Sequence, residues 1–373
     1  MKRVVLDARM IGHTGIGRYL QCLIPELDDP AYRLELLGDP DRLSVVGGGD
    51  RRILHPLSTP VYGLSELWSV SSAAAGADLL HCPHFNIPLS IPKKTRLVVT
   101  IHDLIYVRIP ESMPSPAGRW YVRTQLMRVA RRADEIIAVS EFTKNDFCDY
   151  TGCDPSKVTV VHSGVSEELR PVTDPALREN QRRALNLPAR YLLWVSAIKP
   201  HKDLPLMAEA FRRIREKDSQ LHWVIIGKPD KLMQTYFEQL LKDPALAPAI
   251  HWFPSVEPEK LLWFYNLAEL FVTPSRYEGF GFPPLEAMAC GVPVAAAKTA
   301  SLPEILGEAA AWFPPGNIEA LVETVYNVLS DPTVRQRLIE RGTEQARRYS
   351  WKQTGRATRQ IYERWLSRGS VRP

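Results

Sequence analysis

Pro274-Ser275-Arg276-Tyr277-Glu278-Gly279-Phe280-Gly281-Phe282-Pro283-Pro284-Leu285-Glu286-Ala287-Met288-Ala289-Cys290-Gly291 is the stretch from which both the fold and the chemistry of this chain are read. Glu269-Leu270-Phe271-Val272-Thr273 leads into it with the composition of a buried strand. Gly279 and Gly281 let the backbone approach a ligand closely, and Pro283-Pro284 fixes φ values suited to a first helical turn. The helix is predicted to reach Cys290 and to stop at Gly291. Unsatisfied N–H groups and the helix dipole make such a start an anion site worth roughly 0.3–2 kcal/mol per charge. Yet Glu278 and Glu286 flank the same turn, and acids repel a purely anionic ligand. A ligand carrying both diphosphate and hydroxyls fits better. The plain alternative is a surface turn with solvated acids, but glycines, prolines and acids all stand where a strand-turn-helix nucleotide site needs them.

Around this stretch the chain reads as two α/β domains. Its 373 residues are long for one core and comfortable for two. With 45% hydrophobic and 24% charged residues it has the composition of a globular protein. The net charge of +5 is a mild bias toward anionic partners such as nucleoside diphosphates or acidic lipid surfaces, whereas nucleic acid would need a denser basic patch, so no nucleic-acid partner is expected. Cys22, Cys82, Cys148, Cys153 and Cys290 are odd in number and widely spread, which points to a reducing cytoplasm rather than a disulfide framework or a Cys-x-x-Cys metal site. Asp7 and Arg9 interrupt any apolar core of a signal peptide, and no apolar run approaches the ~20 residues needed to span a bilayer.

Residues 4–7 read as a buried strand, and Leu20, Leu23, Ile24 and Leu27 then recur at helical spacing. The loop between them, Gly12-His13-Thr14-Gly15-Ile16-Gly17-Arg18-Tyr19, is glycine-rich without the G-x-G-x-x-G spacing, and alone it serves equally as a plain turn or a phosphate cradle. Residues 78–82, 97–101 and 135–139 are short, nearly all-apolar strands suited to a parallel sheet covered on both faces. His102-Asp103 follows one of them at its carboxyl end, where open α/β sheets place ligands, although a lone histidine there is more often structural. Residues 157–165 close the first sheet and a polar, proline-bearing hinge follows; a second series starts at 191–196 and continues at 221–226, 270–273 and 292–295. The expected architecture is two tandem Rossmann-like doubly wound domains facing each other across a cleft that holds the site. Its boundaries are a first Rossmann-like domain at 1–168, a linker at 169–189, a second Rossmann-like domain at 190–350 and a C-terminal helical segment at 351–373.

Glu-x7-Glu across a Gly-Phe-Gly loop, running into Pro-Pro-Leu-Glu-Ala-Met-Ala-Cys-Gly-Val-Pro-Val, closely resembles the donor-site signature of retaining glycosyltransferases of family four, which have the GT-B fold. The resemblance implies that Glu278 binds a sugar hydroxyl, that the amides of Gly279, Phe280 and Gly281 hold sugar hydroxyls and phosphate, and that Glu286 accepts hydrogen bonds from the ribose. It extends to Gly15-Ile16-Gly17-Arg18-Tyr19, which looks like a subgroup including bacterial mannosyltransferases of surface-polysaccharide assembly and implies that Gly15, Gly17 and Arg18 face the donor diphosphate. Thr100-Ile101-His102-Asp103 looks like the motif whose histidine lies beside the donor sugar, and Ser140-Glu141-Phe142-Thr143-Lys144 resembles the family's Val-Ser-x-x-Thr segment. Val195-Ser196-Ala197-Ile198-Lys199-Pro200-His201-Lys202-Asp203 occupies the place of Gly-Arg-x-x-x-x-Lys-Asn. Lys202 matches the diphosphate-neutralising lysine, while Ser196 stands for the glycine and Ala197 for the arginine, so one expected cation is missing. Lys199, Arg18 and Arg276 are its candidate substitutes. Similar patterns at 300–304 and 310–313 carry the resemblance to about residue 362, and in GT-B relatives the last helix crosses back to the first domain.

The function implied is transfer of a sugar, mannose from GDP-mannose before others, from a nucleoside diphosphate to the hydroxyl of a glycan or lipid-linked acceptor, with His102, Glu278 and Lys202 in catalytic roles. No Asp-x-Asp motif stands in the expected place, so no metal and no cofactor beyond the nucleotide-sugar donor substrate are expected. Rival readings are a UDP-sugar-dependent transferase, a GT-B epimerase or phosphorylase, and a non-catalytic nucleotide-sugar binder. Residues 116–133 form a helix candidate with Arg119, Arg123, Arg128, Arg131 and Arg132 beside Trp120, Tyr121, Leu126 and Met127. It reads as an ordinary sheet-covering helix with a solvated basic face, or as a peripheral contact with the inner face of a membrane.

Overall fold

The computed structural model describes residues 1–46, 52–62 and 65–368. Residues 47–51 and 63–64 of the expected first domain and 369–373 of the C-terminal segment lie outside the described residues. The chain divides into two compact units, Met1–Gly164 with Ser350–Pro373, and Val165–Tyr349.

The first unit is built on seven parallel strands: β1 (Lys2–Asp7), β2 (Tyr32–Gly38), β3 (Arg52–Pro56), β4 (Leu79–Cys82), β5 (Arg96–Ile101), β6 (Glu135–Ala138) and β7 (Val158–Val160). Their order is β3-β2-β1-β4-β5-β6-β7, so chain direction across the sheet reverses between β1 and β4. Val4, Val5 and Leu6 on β1 and Val98 and Val99 on β5 are wholly buried, as central strands covered on both faces require. β2 and β3 are additional to the strands expected from the sequence. β3, Arg-Ile-Leu-His-Pro, is a half-exposed edge strand ending in proline, which leaves little apolar signal to read.

The second unit repeats the plan with β8 (Tyr191–Val195), β9 (His222–Ile226), β10 (Ile250–Phe253), β11 (Leu270–Thr273), β12 (Val294–Ala297) and β13 (Ala310–Phe313), all parallel, in the order β10-β9-β8-β11-β12-β13. Its core is centred on Trp194, Trp223, Phe211 and Phe237. The segment 169–189 differs from the linker expected there. Asp174 caps a helix, Pro175–Ala184, and Asn266 donates to the Arg170 carbonyl at 3.0 Å and accepts from the Val172 amide at 2.7 Å. These bonds tie the segment to the second unit, a long-range anchor that its prolines and charges do not reveal.

The helix Trp351–Ser367 packs within the first unit. Tyr362, wholly buried, places its hydroxyl 2.6 Å from Nδ1 of His81 on β4, and the indole of Trp365 donates to Glu135 at 2.9 Å. No helix among the described residues is long and apolar enough to cross a membrane.

Candidate functional site

In the second unit β8 and β11 are neighbours although 74 residues separate the end of one from the start of the other, and strand order reverses between them. Open α/β sheets bind ligands beyond the carboxyl ends of such a pair, because the connections leave in opposite directions and open a crevice. The segments leaving β8 and β11 here carry Lys202 and Glu278. Lys202 Nζ lies 2.5 Å from Glu278 Oε1, and each side chain retains 15% of its accessible surface.

The arm bearing Lys202 is fixed along its length. Ser196 donates its amide to Ile226 and its hydroxyl to the Ala197 carbonyl, and Ile198 pairs with the 228–230 segment through its amide and carbonyl. This close approach depends on Gly227, which sits at φ +136°, where a Cβ would collide with the Ser196 carbonyl oxygen. A short 3-10 helix, Pro200–Lys202, then ends at Asp203, whose left-handed backbone (φ +54°) opens the helix Leu204–Lys217. From the other side the Arg276 amide donates to the His201 carbonyl at 2.8 Å and its guanidinium to the Pro200 carbonyl at 3.2 Å. His201 is buried, and burial first, then the charges of Lys202, Lys199 and Arg276, push its pKa down to about 2. Burial is the larger cause, but the three charges that act on His201 fall in one region around it. Of the candidate substitutes for the cation missing at Ala197, Lys199 and Arg276 belong to this region.

The Gly-Phe-Gly turn has mixed roles. Gly281 caps the helix Phe282–Ala289 at φ +95°, a conformation that favours glycine, and a Cβ there would also approach Leu302 to 2.6 Å. Pro283 and Pro284 bring no N–H groups to the helix start, so donors at this turn come from the amides of residues 279–282. The Phe280 ring is buried against Phe282 and Tyr349, leaving only its backbone for a ligand role. Ser301 donates its hydroxyl to the Glu278 carbonyl at 2.9 Å, holding the backbone from which the carboxylate projects. Glu286 is 1% exposed and accepts a hydrogen bond from the Tyr265 hydroxyl at 2.8 Å. The helix ends at Ala289, with Cys290 as its cap and Gly291 at φ +73°.

In the first unit Gly15, Gly17 and Arg18 open the helix Gly15–Leu23. A Cβ at Gly17 would stand 2.5 Å from the Ile11 carbonyl oxygen, so close packing of the helix on the preceding turn already accounts for that glycine, whereas a Cβ at Gly15 would meet nothing within 4 Å. His102 follows β5, with Nε2 3.0 Å from the Pro83 carbonyl oxygen and its ring edge-on to Tyr19 at 4.8 Å. Burial lowers its pKa to about 4, opposed in part by the Pro83 carbonyl. A neutral imidazole facing a carbonyl carries its proton on Nε2, which leaves Nδ1 as an acceptor. Ser140 caps the helix Glu141–Thr151, and the Thr143 hydroxyl donates to the His102 carbonyl at 3.4 Å.

Sequence reasoning missed the hollow where β1 and β4 diverge, lined by Asp7, Arg9, Met10, Val61, Cys82, Pro83, His84 and Asn86. Arg9 grips both carboxylate oxygens of Asp7 at 2.8 and 2.6 Å, and buried His84 lies 3.0 Å from the Tyr62 hydroxyl. Asp7 at a strand's carboxyl end was the available signal. The helix Pro116–Arg132 buries Val122, Gln125, Leu126, Val129 and Ala130, exposes Trp120, and turns Arg119 and Arg128 onto neighbouring backbone carbonyls.

Comparison with known proteins agrees with this arrangement. Residues 14–169 match the model described as Glycosyltransferase Family 4, and residues 177–345 the one described as Glycosyl transferases group 1. The O-antigen chain mannosyltransferase B of Escherichia coli is 27% identical over 289 residues, 76% of this chain and 74% of that protein. The serotype-specific mannosyltransferase WbdA of Escherichia coli is 28% identical over 283 residues, which are 74% of this chain but 34% of its own, so the chain spans about a third of that relative. Sucrose-phosphate synthase from Thermosynechococcus elongatus superposes with a TM-score of 0.78 at 20% identity, over 99% of this chain and 100% of that one, a likeness of fold. With a parallel-sheet α/β fold in each of its two units, as in GT-B glycosyltransferases, and family matches along most of its length, the chain is a glycosyltransferase and belongs to glycosyltransferase family 4.

Proposed function

We propose that this glycosyltransferase acts with retention at the sugar carbon, moving mannose from GDP-mannose to a hydroxyl of a glycan or lipid-linked acceptor in surface-polysaccharide assembly. The observation that carries the reading is the Lys202–Glu278 pair beyond the reversal between β8 and β11, a cation and a hydroxyl acceptor side by side. The mannosyltransferases among the relatives support the choice of sugar. Lys202, with Lys199 and Arg276 close behind it, neutralises charge on the diphosphate, while Glu278 accepts from a sugar hydroxyl. With the amides of residues 279–282 those cations suffice without a divalent ion. For His102, Gly15 and Arg18 the support is the resemblance of their motifs. Ser196 serves the donor through the backbone of its arm, and Glu286 takes the ribose only by sharing a carboxylate already bonded to Tyr265. We place the protein in the cytoplasm, with the helix Pro116–Arg132 as a peripheral contact to an anionic membrane surface.

Thermal unfolding with nucleotides and nucleotide sugars tests the donor, because a ligand at 100 times its dissociation constant stabilises by about 2.7 kcal/mol. We expect the largest shifts with GDP and GDP-mannose, and turnover of GDP-mannose with acceptor in excess chelator. Activity abolished by chelator and restored by manganese would overturn the metal-free reading. Conversion of the nucleotide sugar without acceptor would indicate an epimerase instead.

A further inference from the structure

We infer that Glu278, beyond holding the sugar, discriminates against the bare nucleoside diphosphate and so promotes release of that product; the inference rests on the donor site proposed above. Lys202 Nζ is 2.5 Å from Glu278 Oε1, and both side chains are largely shielded from water. The backbone from which the carboxylate projects is fixed, because the Glu278 carbonyl accepts from the Ser301 hydroxyl at 2.9 Å and from the Ser301 amide at 3.4 Å, and the carboxylate itself is held by Lys202. An ammonium has three N–H donors, so Lys202 can hold a phosphate oxygen and Glu278 together. Any phosphate that Lys202 receives therefore sits close to a carboxylate in a site where salt screens poorly.

Two ligands meet that carboxylate differently. A nucleotide sugar carries one charge on each phosphate and presents sugar hydroxyls, which donate to Glu278 and offset the repulsion. A bare nucleoside diphosphate ends in a phosphate monoester, whose second ionisation near pH 6 adds up to about one further negative charge at neutral pH. It also brings no hydroxyl to the position the sugar would fill. The carboxylate thus favours the substrate and disfavours the product at one place, and Lys202 shares its charge between carboxylate and phosphate.

Calorimetric titration of the whole chain with GDP and with GDP-mannose, and with UDP and UDP-glucose as a second pair, tests this in the parent and in Glu278→Gln. The amide keeps the size of the side chain and a hydroxyl acceptor but removes the charge. GDP is expected to bind about tenfold more tightly to the variant, while GDP-mannose does not tighten. Both titrations use one preparation, so partial unfolding of the variant cancels in their ratio, and Glu278→Ala is the second variant expected to move GDP in the same sense. GDP affinity unchanged within threefold in both variants, with only GDP-mannose weakened, would make Glu278 a sugar ligand alone and overturn the inference while leaving the proposed function standing. A parent that binds neither pair overturns both.

Discussion

Gly227 shows how a residue with no side chain can decide where Lys202 stands. Its φ of +136° and the absence of a Cβ let the segment after β9 lie against the Ser196 carbonyl, and the arm carrying Lys202 then runs on from that contact. Gly227→Ala combines a disfavoured backbone conformation with a steric collision, and we expect a loss on the order of 3 kcal/mol in urea unfolding. Gly152, at φ +69° with nothing within 4 Å of a Cβ, supplies the control: Gly152→Ala should lose only about 1–2 kcal/mol. Equal losses in the two variants would mean that the collision at Gly227 relaxes without cost. Nothing in the sequence marks Gly227, because the atom it must avoid belongs to a neighbouring strand's exit. The same holds for Tyr265, whose bond to Glu286 joins two elements. The two partners of the observed ion pair differ in this respect: Glu278 stands in a glycine-rich turn whose residue types already suggest a ligand site, whereas Lys202 is singled out only by the resemblance of its segment, and nothing in either run shows that the two side chains meet.

At the scale of elements, most of the strands read from sequence are inner ones, where burial on both faces leaves unbroken apolar runs such as Leu-Phe-Val-Thr of β11, although β7 at a sheet edge was read and the inner β2, whose run is broken by Arg33 and Glu35, was not. The unread β3 and β10 are edge strands whose patterns mix charge, histidine and exposed aromatics. The helix Pro116–Arg132 is a case where the sequence leaves two uses open. Its buried stripe covers the sheet, as any such helix must, and Arg119 and Arg128 are engaged with backbone carbonyls rather than held ready for a lipid headgroup. What remains for a bilayer is Trp120, 69% exposed, beside exposed Arg123, Arg131 and Arg132. If this face meets a membrane, Trp120 supplies the apolar part of the contact, and Trp120→Ser should lower co-sedimentation with phosphatidylcholine–phosphatidylglycerol vesicles at least about fivefold while leaving unfolding unchanged. Equal sedimentation of parent and variant would confine the helix to its role on the sheet.

At the scale of the whole molecule, the chain leaves the first unit at Gly164 and returns at Ser350, so the first core is completed by residues nearly two hundred positions after the rest of it. The return is polar as well as apolar: Tyr362 meets His81, and His81 Nε2 lies 2.8 Å from the Thr100 hydroxyl. His81 and His84 are both buried in this unit, and burial lowers each pKa to about 3. The unfolded chain titrates histidine near pH 6.5. A histidine with a depressed folded pKa contributes stability that is present above pH 6.5 and is lost as pH falls toward the folded value, because only the unfolded state takes up the proton. At pH 5 each of these two residues, and likewise His102 with its value near 4, has forfeited about 2 kcal/mol, a total near 6 kcal/mol against a typical domain stability of about 5–15 kcal/mol. The carboxylates with lowered values, Glu35 and Asp78 among them, add their losses mainly at still lower pH, so the window between pH 6.5 and 5 belongs to the histidines. We therefore expect the first unit to unfold at distinctly lower urea at pH 5.0 than at pH 7.5, followed by hydrogen exchange at β4 and β5. His81→Gln, which keeps a hydrogen-bonding side chain but cannot titrate, should start less stable at pH 7.5 and lose only about two thirds as much between the two conditions, because His84 and His102 still titrate. If parent and variant lose the same amount, the proton taken up by the unfolded state is not His81's, and the buried contact with Tyr362 has no part in the acid sensitivity of the fold.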